Sequence, residues 1–204
     1  MASKVEIANR AAVKLGQEHI LSLTDNTKVA RTFNSMFDIV KDAELRDHNW
    51  NFATKRASLA ASTTAPDWGF LYAYPLPARF LKLLDIDGVW AANLQDSYVS
   101  SDNSMFRIEV VGEATKAIVT DLAAPLYIRY TESVEDPTLF DSLFVEVFAS
   151  RLALESCEAI TQSSGLYGRI ADQYMRALNS AIAANAVENP PATLMDTSWL
   201  QSRL

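Results

Sequence analysis

The residues best suited to bind a metal ion or to move protons are few in this sequence. It contains two histidines, His19 and His48, and one cysteine, Cys157. Neither histidine has another histidine or a cysteine at the spacing of a zinc site, so a structural zinc ion is not predicted. Glu44 and His48 lie four residues apart with Asp47 beside them, and they could begin a metal site on one face of a helix. A solvated helix end is the favoured interpretation of this group.

We therefore predict no metal, no cofactor and no pH-switched activity, and we expect chelators to leave the protein unchanged. Cys157 has no second cysteine with which to form a disulfide inside the chain. Its apolar neighbours predict a buried and unreactive thiol.

Sequence motifs that mark common enzyme classes are absent, since there is no GxSxG, no P-loop and no GxGxxG. The stretch Asp85-Ile86-Asp87-Gly88 resembles part of a calcium loop but lacks the further ligands and the terminal glutamate, which favours a tight turn. Carboxylate pairs for hydrolysis meet only in a folded protein, and nothing in the sequence favours one. The prediction is a protein that is not an enzyme.

Four aromatic residues alternate with other residue types in the middle of the chain: Trp68, Phe70, Tyr72 and Tyr74. Such a row could stack on bases or sugars. A strand that packs on helices is favoured, because no lysine or arginine is interleaved with the aromatic residues.

The composition is that of an ordinary folded protein, with 204 residues, 49% hydrophobic and 21% charged. This length suits one domain, with room for an inserted subdomain. The net charge of −7 argues against binding the nucleic-acid backbone, which needs clustered lysine and arginine. No run of 18 apolar residues and no signal-peptide pattern is present, so we expect synthesis in the cytoplasm and no membrane partner.

Helical spacing of apolar residues predicts two helices in the first block of the chain. The first ends near Gly16, a residue suited to the C-cap. The second runs from about Asn26 to His48, with N-cap candidates at residues 24–26 and an apolar stripe along one side. That stripe consists of Val29, Phe33, Met36, Phe37 and Val40.

The pattern changes to strands and turns after residue 52, where prolines interrupt any helix. Strands are predicted over residues 80–86, 89–90, 106–111, 117–120 and 126–130, with a hairpin turn at Asp87-Gly88. We expect one small antiparallel sheet.

Helical spacing returns after Asp136-Pro137, where an N-cap aspartate is followed by proline at the first helical position. A break at residues 161–165 separates this helix from a last one that ends near Val187. The fold class is therefore α+β and mainly α: a helical bundle from residues 1–52 and 136–187, an inserted β-rich region at 53–135, and an extended C-terminal arm at 188–204. We expect the two helical blocks to pack on each other across the inserted sheet. The predicted core contains Phe33, Phe37, Val40, Phe140, Phe144, Phe148, Tyr174 and Leu178.

The C-terminal arm is the strongest candidate for partner binding. Pro190-Pro191 separates it from the last helix, and its apolar residues are of a kind that dominates interfaces. The candidate binding residues are Leu194, Met195, Trp199 and Leu200. An arm that folds back on its own domain is the alternative.

Three segments in this order resemble the head-to-tail adaptor proteins of short-tailed bacteriophages, also called the tail tubular protein A family. The resemblance covers about residues 5–187. The segments are Trp50-Asn51-Phe52-Ala53, Tyr74-Pro75-Leu76-Pro77-Ala78-Arg79-Phe80-Leu81-Lys82, and Tyr130 to Glu155 with its Asp136-Pro137-Thr138-Leu139-Phe140-Asp141 start.

The resemblance implies a structural protein of the virion, located at the head–tail interface and assembled as a ring of about twelve copies. Its partners would be the portal protein of the head and the nozzle protein of the tail, and DNA would pass through the channel during ejection without specific binding. The family has no required cofactor and no catalytic residues. A tail-associated hydrolase and a monomeric intracellular binding module remain as alternatives.

Overall fold

Side-chain caps mark the start of the first two helices, and the first helix ends at the glycine that the sequence predicted. The computed structural model describes residues 2–87, 89–90, 106–112 and 115–188. Helix α1 (Lys4–Lys14) ends at Gly16, which has a φ of 66°, and the Gln17 N–H donates to the Ala12 carbonyl at 2.9 Å. This is the hydrogen bond that closes a helix on a left-handed glycine, so the predicted end is confirmed. Helix α2 (Lys28–Asp47) is capped by Thr27 and not by residues 24–26.

The helix predicted from Asp136-Pro137 begins later than expected. Asp136 caps only a 3-10 turn at Pro137–Leu139, after which Phe140 is extended. A second aspartate, Asp141, accepts hydrogen bonds from the N–H groups of Leu143 at 2.8 Å and Phe144 at 3.3 Å. Helix α3 (Ser142–Thr161) therefore starts at the second N-cap, because the first turn does not continue. Gln162, with a φ of 53°, separates α3 from α4 (Ser164–Glu188).

Helix α3 lies in the centre of the bundle and contacts α1, α2 and α4 directly. The rings of Phe37 on α2 and Phe148 on α3 lie 4.9 Å apart, edge to face. The expectation that the helical blocks meet across the sheet is therefore wrong, because their apolar faces fit one another with no strand between them. Seven of the eight predicted core residues are buried, and Leu178 is half-buried. Cys157 is fully buried, as predicted.

The strands form two antiparallel sheets and not one. The large sheet has the order β1 (Thr54–Leu59), β7 (Leu126–Glu132), β3 (Phe80–Ile86) and β4 (Val89–Trp90). The small sheet has the order β2 (Tyr72–Pro75), β6 (Thr115–Thr120) and β5 (Phe106–Val111). The predicted bounds of β3 and β5 and the pairing of β3 with β4 are confirmed. The mixed, mainly helical fold class is confirmed as well.

A second hydrophobic cluster is shared by the two sheets. Its buried residues are Tyr74, Leu83, Ile86, Phe106, Ile118, Leu126, Ile128 and Tyr130. The predicted aromatic strand begins only at Tyr72, and it packs in this cluster instead of on the helices. Phe70 lies instead against the other face of the small sheet, and Trp68 is 84% exposed. The second sheet covers these aromatic side chains, so the helical bundle is not needed to bury them.

Candidate functional site

The first of the three segments lies in an aromatic cluster against the bundle. Trp50 precedes a 3-10 turn at Asn51–Ala53, and its ring centroid lies 5.0 Å from that of Phe144. Phe52 lies 4.9 Å from Phe144 and 5.8 Å from Phe140. The buried Trp50 indole Nε1 donates to the Glu44 carbonyl at 3.1 Å. This turn therefore ties the end of α2 to the start of α3.

The second and third segments lie side by side at the end of the large sheet. The Ser133 N–H donates to the Arg79 carbonyl at 2.8 Å, and the rings of Phe80 and Tyr130 stack at 5.7 Å. The Arg79 guanidinium lies 3.6 Å from a carboxylate oxygen of Glu132.

These two segments are also joined to the first segment and to the bundle. Strand β1, which follows the first segment, pairs Thr54 with Thr131. The Ser133 hydroxyl donates to Asp42 on α2 at 2.5 Å. All three segments thus meet at one boundary between bundle and sheets, which we name the junction.

Glu44 is a buried titratable group on α2, close to the first segment. Only 1% of the residue is exposed, and the Tyr174 hydroxyl donates to its Oε2 at 3.1 Å. Arg151 Nη1 in turn donates to the Tyr174 hydroxyl at 3.2 Å. The other oxygen, Oε1, has no hydrogen-bond partner among the described residues. Glu44, Tyr174 and Arg151 belong to α2, α4 and α3, so this chain of hydrogen bonds joins three helices.

The expectation that Glu44 lies at a solvated helix end is wrong, because α4 covers that side of α2. Burial raises the pKa of Glu44, against the lowering effect of the Tyr174 hydrogen bond. The folded state therefore holds a proton on Glu44 more readily than the unfolded chain does. Its contribution to stability is largest below the unfolded value of 4.5 and is lost as the pH rises through the folded pKa. With so little exposed surface, this carboxyl group has no access to a substrate.

Asn185 holds the end of α4 against the residues that follow α2. Its Oδ1 accepts from the Asn51 N–H at 3.0 Å, and its Nδ2 donates to the Asn49 carbonyl at 2.9 Å. The same Nδ2 lies 3.4 Å from His48 Nε2. Burial, with a further contribution from Lys82, lowers the pKa of His48, which favours the neutral ring that can accept this bond. In the described part of the chain, no three histidine, cysteine or acidic side chains converge on a possible metal site.

An open groove lies between the edges of the two sheets, with a volume of about 1150 Å³. We name it the inter-sheet groove. Its apolar lining includes Leu76, Phe80, Leu81, Leu83, Phe106, Ile108 and Val110. Four cationic residues also line it, Arg46, Arg79, Lys82 and Lys116, against one acidic residue, Glu109. The groove is therefore both apolar and positively charged, in a chain whose net charge is −7.

Two of these cations are available to an incoming group. Arg79 pairs with Glu132 and Glu135, and the Arg46 guanidinium donates to the Leu81 carbonyl. No carboxylate of the described residues lies within ion-pair distance of Lys82 or Lys116. Sequence reasoning missed the groove because its lining comes from α2 and from strands of both sheets. The only indication in the sequence was a short stretch in which basic and apolar residues are adjacent, Arg79-Phe80-Leu81-Lys82.

The predicted binding residues Leu194, Met195, Trp199 and Leu200 lie outside the described residues, as does most of the arm at 188–204. The described chain ends with α4 at Glu188, three residues after the Asn185 anchor. The last described residue of the chain therefore lies close to the first segment.

No protein-family model matches this chain, and no curated protein matches it either. Among the residues described, no helix combines the length and the apolar character that crossing a membrane requires.

Proposed function

We propose that this protein is a structural adaptor of a phage virion, which forms a ring between the portal of the head and the nozzle of the tail. The ring contains about twelve copies and surrounds a channel for DNA. One observation carries the proposal: the three segments that resemble the adaptor family meet in one contiguous junction. Segments far apart in the sequence thus act as one structural unit, which is what a shared architecture requires.

The contacts at the junction suit a protein that transmits mechanical force between its helical bundle and its sheets. The Trp50 indole, the Ser133 side chain and the Arg79 carbonyl each hold one element against another. Aromatic packing joins the same elements. The bundle and the sheets are thereby coupled at several points, so a force on one is transmitted to the other.

The charge of the chain suits a channel for DNA. A net charge of −7 in each subunit repels the phosphate backbone, whereas a basic lumen would hold it. DNA in such a ring would slide without specific contacts. The protein would accordingly be made in the host cytoplasm and act in the virion.

The arm at 188–204 is the part that we assign to the portal. Asn185 anchors the helix that precedes it, and the sequence Pro190-Pro191 is expected to interrupt a helix. Its apolar residues Leu194, Met195, Trp199 and Leu200 would serve as anchors on the partner. This contact would attach the ring to the head.

The proposal is tested by the mass and the shape of the assembled particle. The full-length protein is measured by analytical ultracentrifugation and imaged by electron microscopy, with and without the portal protein of the same phage. We expect rings of roughly 270 kDa, about twelve copies of the 22.6 kDa chain, or their addition to the portal. A single-copy mass under both conditions would instead support a monomeric binding module. Turnover of cell-wall material by the purified protein would support a tail-associated hydrolase.

A further inference from the structure

The loop before β2 presents apolar side chains to solvent. Trp68 is 84% exposed and Leu71 is 67% exposed, and Asp67 beside them is exposed as well. We name residues 66–71 the aromatic tip. A large apolar side chain held in water at a loop end is a common anchor of protein interfaces.

The aromatic tip is held in place by the small sheet. Phe70 packs against the cluster of Ala73, Ala117 and Val119. The Leu71 N–H donates to Asp121 Oδ1 at 2.9 Å. Gly69 has a φ of 90°, a conformation that glycine adopts without strain, and it turns the chain directly after Trp68. Trp68 is therefore presented from an ordered turn, which lowers the entropy lost when it binds a partner.

The aromatic tip and the inter-sheet groove lie on opposite faces of the small sheet. Side chains of a strand alternate between its two faces. Phe106, Ile108 and Val110 of β5 line the groove, where Ile108 and Val110 are 44% and 57% exposed. The opposite face of the small sheet carries the Ala73, Ala117 and Val119 cluster that Phe70 covers. One subunit thus has an apolar projection and an apolar recess that point in different directions.

The two surfaces are also complementary in charge. Asp67 precedes Trp68 in the tip, and Asp121 lies at its base. The groove carries Lys82 and Lys116, which have no ion-pair partner among the described residues, and Arg46, which donates to the Leu81 carbonyl. An aromatic tip with an acidic side chain fits an apolar groove with a basic rim.

We propose that the aromatic tip of one subunit inserts into the inter-sheet groove of a second copy of this chain. This inference rests on the proposed function, since it supplies the contact between neighbouring subunits of the ring. A contact between two different surfaces is heterologous, and repetition of such a contact closes a ring or extends a filament. Trp68 is the central anchor, and Asp67 pairs with the basic rim.

The first experiment breaks each side of the contact separately. The tip variant is Asp67→Ala with Trp68→Ala, and the groove variant is Lys82→Glu with Ile108→Glu, all in the full-length chain. Tyr167→Ala, which removes an aromatic ring on α4 that is 50% exposed, is the control. Melting temperatures establish that each variant is folded, and sedimentation at several concentrations measures self-association, in the presence of portal protein if the free chain does not associate.

We expect the tip and groove variants each to weaken association at least tenfold, and the control to behave as the wild type. A mixture of the two variants retains one intact tip and one intact groove, so it should form one-to-one dimers and no larger assemblies. Assembly of the tip variant at wild-type strength, or failure of the mixture to pair, overturns the proposed contact.

A cross-link provides a second measurement that does not depend on loss of binding. Asp67→Cys and Ile108→Cys in one chain keep the Trp68 anchor and should give a ladder of disulfide-linked multimers under mild oxidation, and a mixture of the two single variants should give dimers. Cys157 is fully buried and does not compete. Tyr167→Cys with Ile108→Cys should give no ladder.

The outcomes separate this contact from the adaptor proposal. Rings of wild-type size without a cross-link between positions 67 and 108 would reject this contact and leave the adaptor proposal standing. A chain that stays single with and without the portal protein would reject both.

Discussion

Replacing Phe144 by alanine tests the aromatic cluster that connects the bundle to the junction. Phe144 is fully buried, and four aromatic rings surround it. Their centroids lie at 4.9 Å for Phe52, 5.0 Å for Trp50, 5.1 Å for Phe140 and 6.0 Å for Phe148. The alanine side chain would leave a cavity among all four.

The expected destabilisation follows from the size of this cavity and from how little the site can collapse. Truncation of a buried phenylalanine costs about 3–5 kcal/mol. Trp50 is held by its hydrogen bond to the Glu44 carbonyl, and the turn that carries Phe52 is held by Asn185. Because these neighbours cannot move far into the space, we expect about 4–5 kcal/mol. For a chain of this length, that loss lowers the melting temperature by roughly 8–20 °C.

Urea unfolding followed by circular dichroism measures the free energy of unfolding of the variant and the wild type. Leu143→Ala is the control, because the adjacent residue on the same helix is exposed and its truncation should cost roughly 0.5 kcal/mol or less. A change for Phe144→Ala no larger than that of the control would show that Phe144 is outside the core, and the packing argument would fail.

Three further predictions concern the buried carboxylate, the arm and metals. Glu44→Gln should gain stability relative to the wild type as the pH rises from 4.5 through the folded pKa of Glu44, because only the wild type must bury a charge. Urea unfolding gives the free energy of unfolding of both proteins at each pH, and the difference between them cancels the contributions of other titratable groups. A difference that does not change with pH would contradict this prediction. Truncation after Glu188 should leave the melting temperature unchanged and abolish portal attachment; a loss of several degrees in the isolated truncated chain would show that the arm folds back on its own domain. EDTA should leave melting and assembly unchanged, and a large drop in melting temperature would reveal a metal site.

Local sequence signals predicted many of the elements, since those signals act over a few residues. Gly16 ends α1 because glycine adopts a left-handed conformation without strain, whatever the rest of the chain does. The apolar stripe on α2 identified Phe33 and Phe37 as core residues, because helical periodicity places them on one face. The apolar run before Asp87-Gly88 likewise marked the bounds of β3.

Competing local signals were less decisive. Asp136 and Asp141 are both good N-caps within six residues, and both do cap a helical turn. Only the second is followed by a continuous helix, because residues from 142 onward pack against α1, α2 and α4. The choice between the two therefore depends on contacts that are distant in the sequence.

The sequence by itself determined the order of the helices, the strands that follow β1 and most of the bundle core, because periodicity and capping are properties of neighbouring residues. It did not predict β1, whose partner β7 lies about 70 residues later. Only the tertiary structure decided that Glu44 is buried, since the helix that covers it begins 120 residues later at Ser164. The division of the strands into two sheets and the inter-sheet groove also depend on distant partners, as Phe80 and Phe106 belong to different sheets and both line the groove. A surface assembled from separate elements leaves no periodic signal in any one of them.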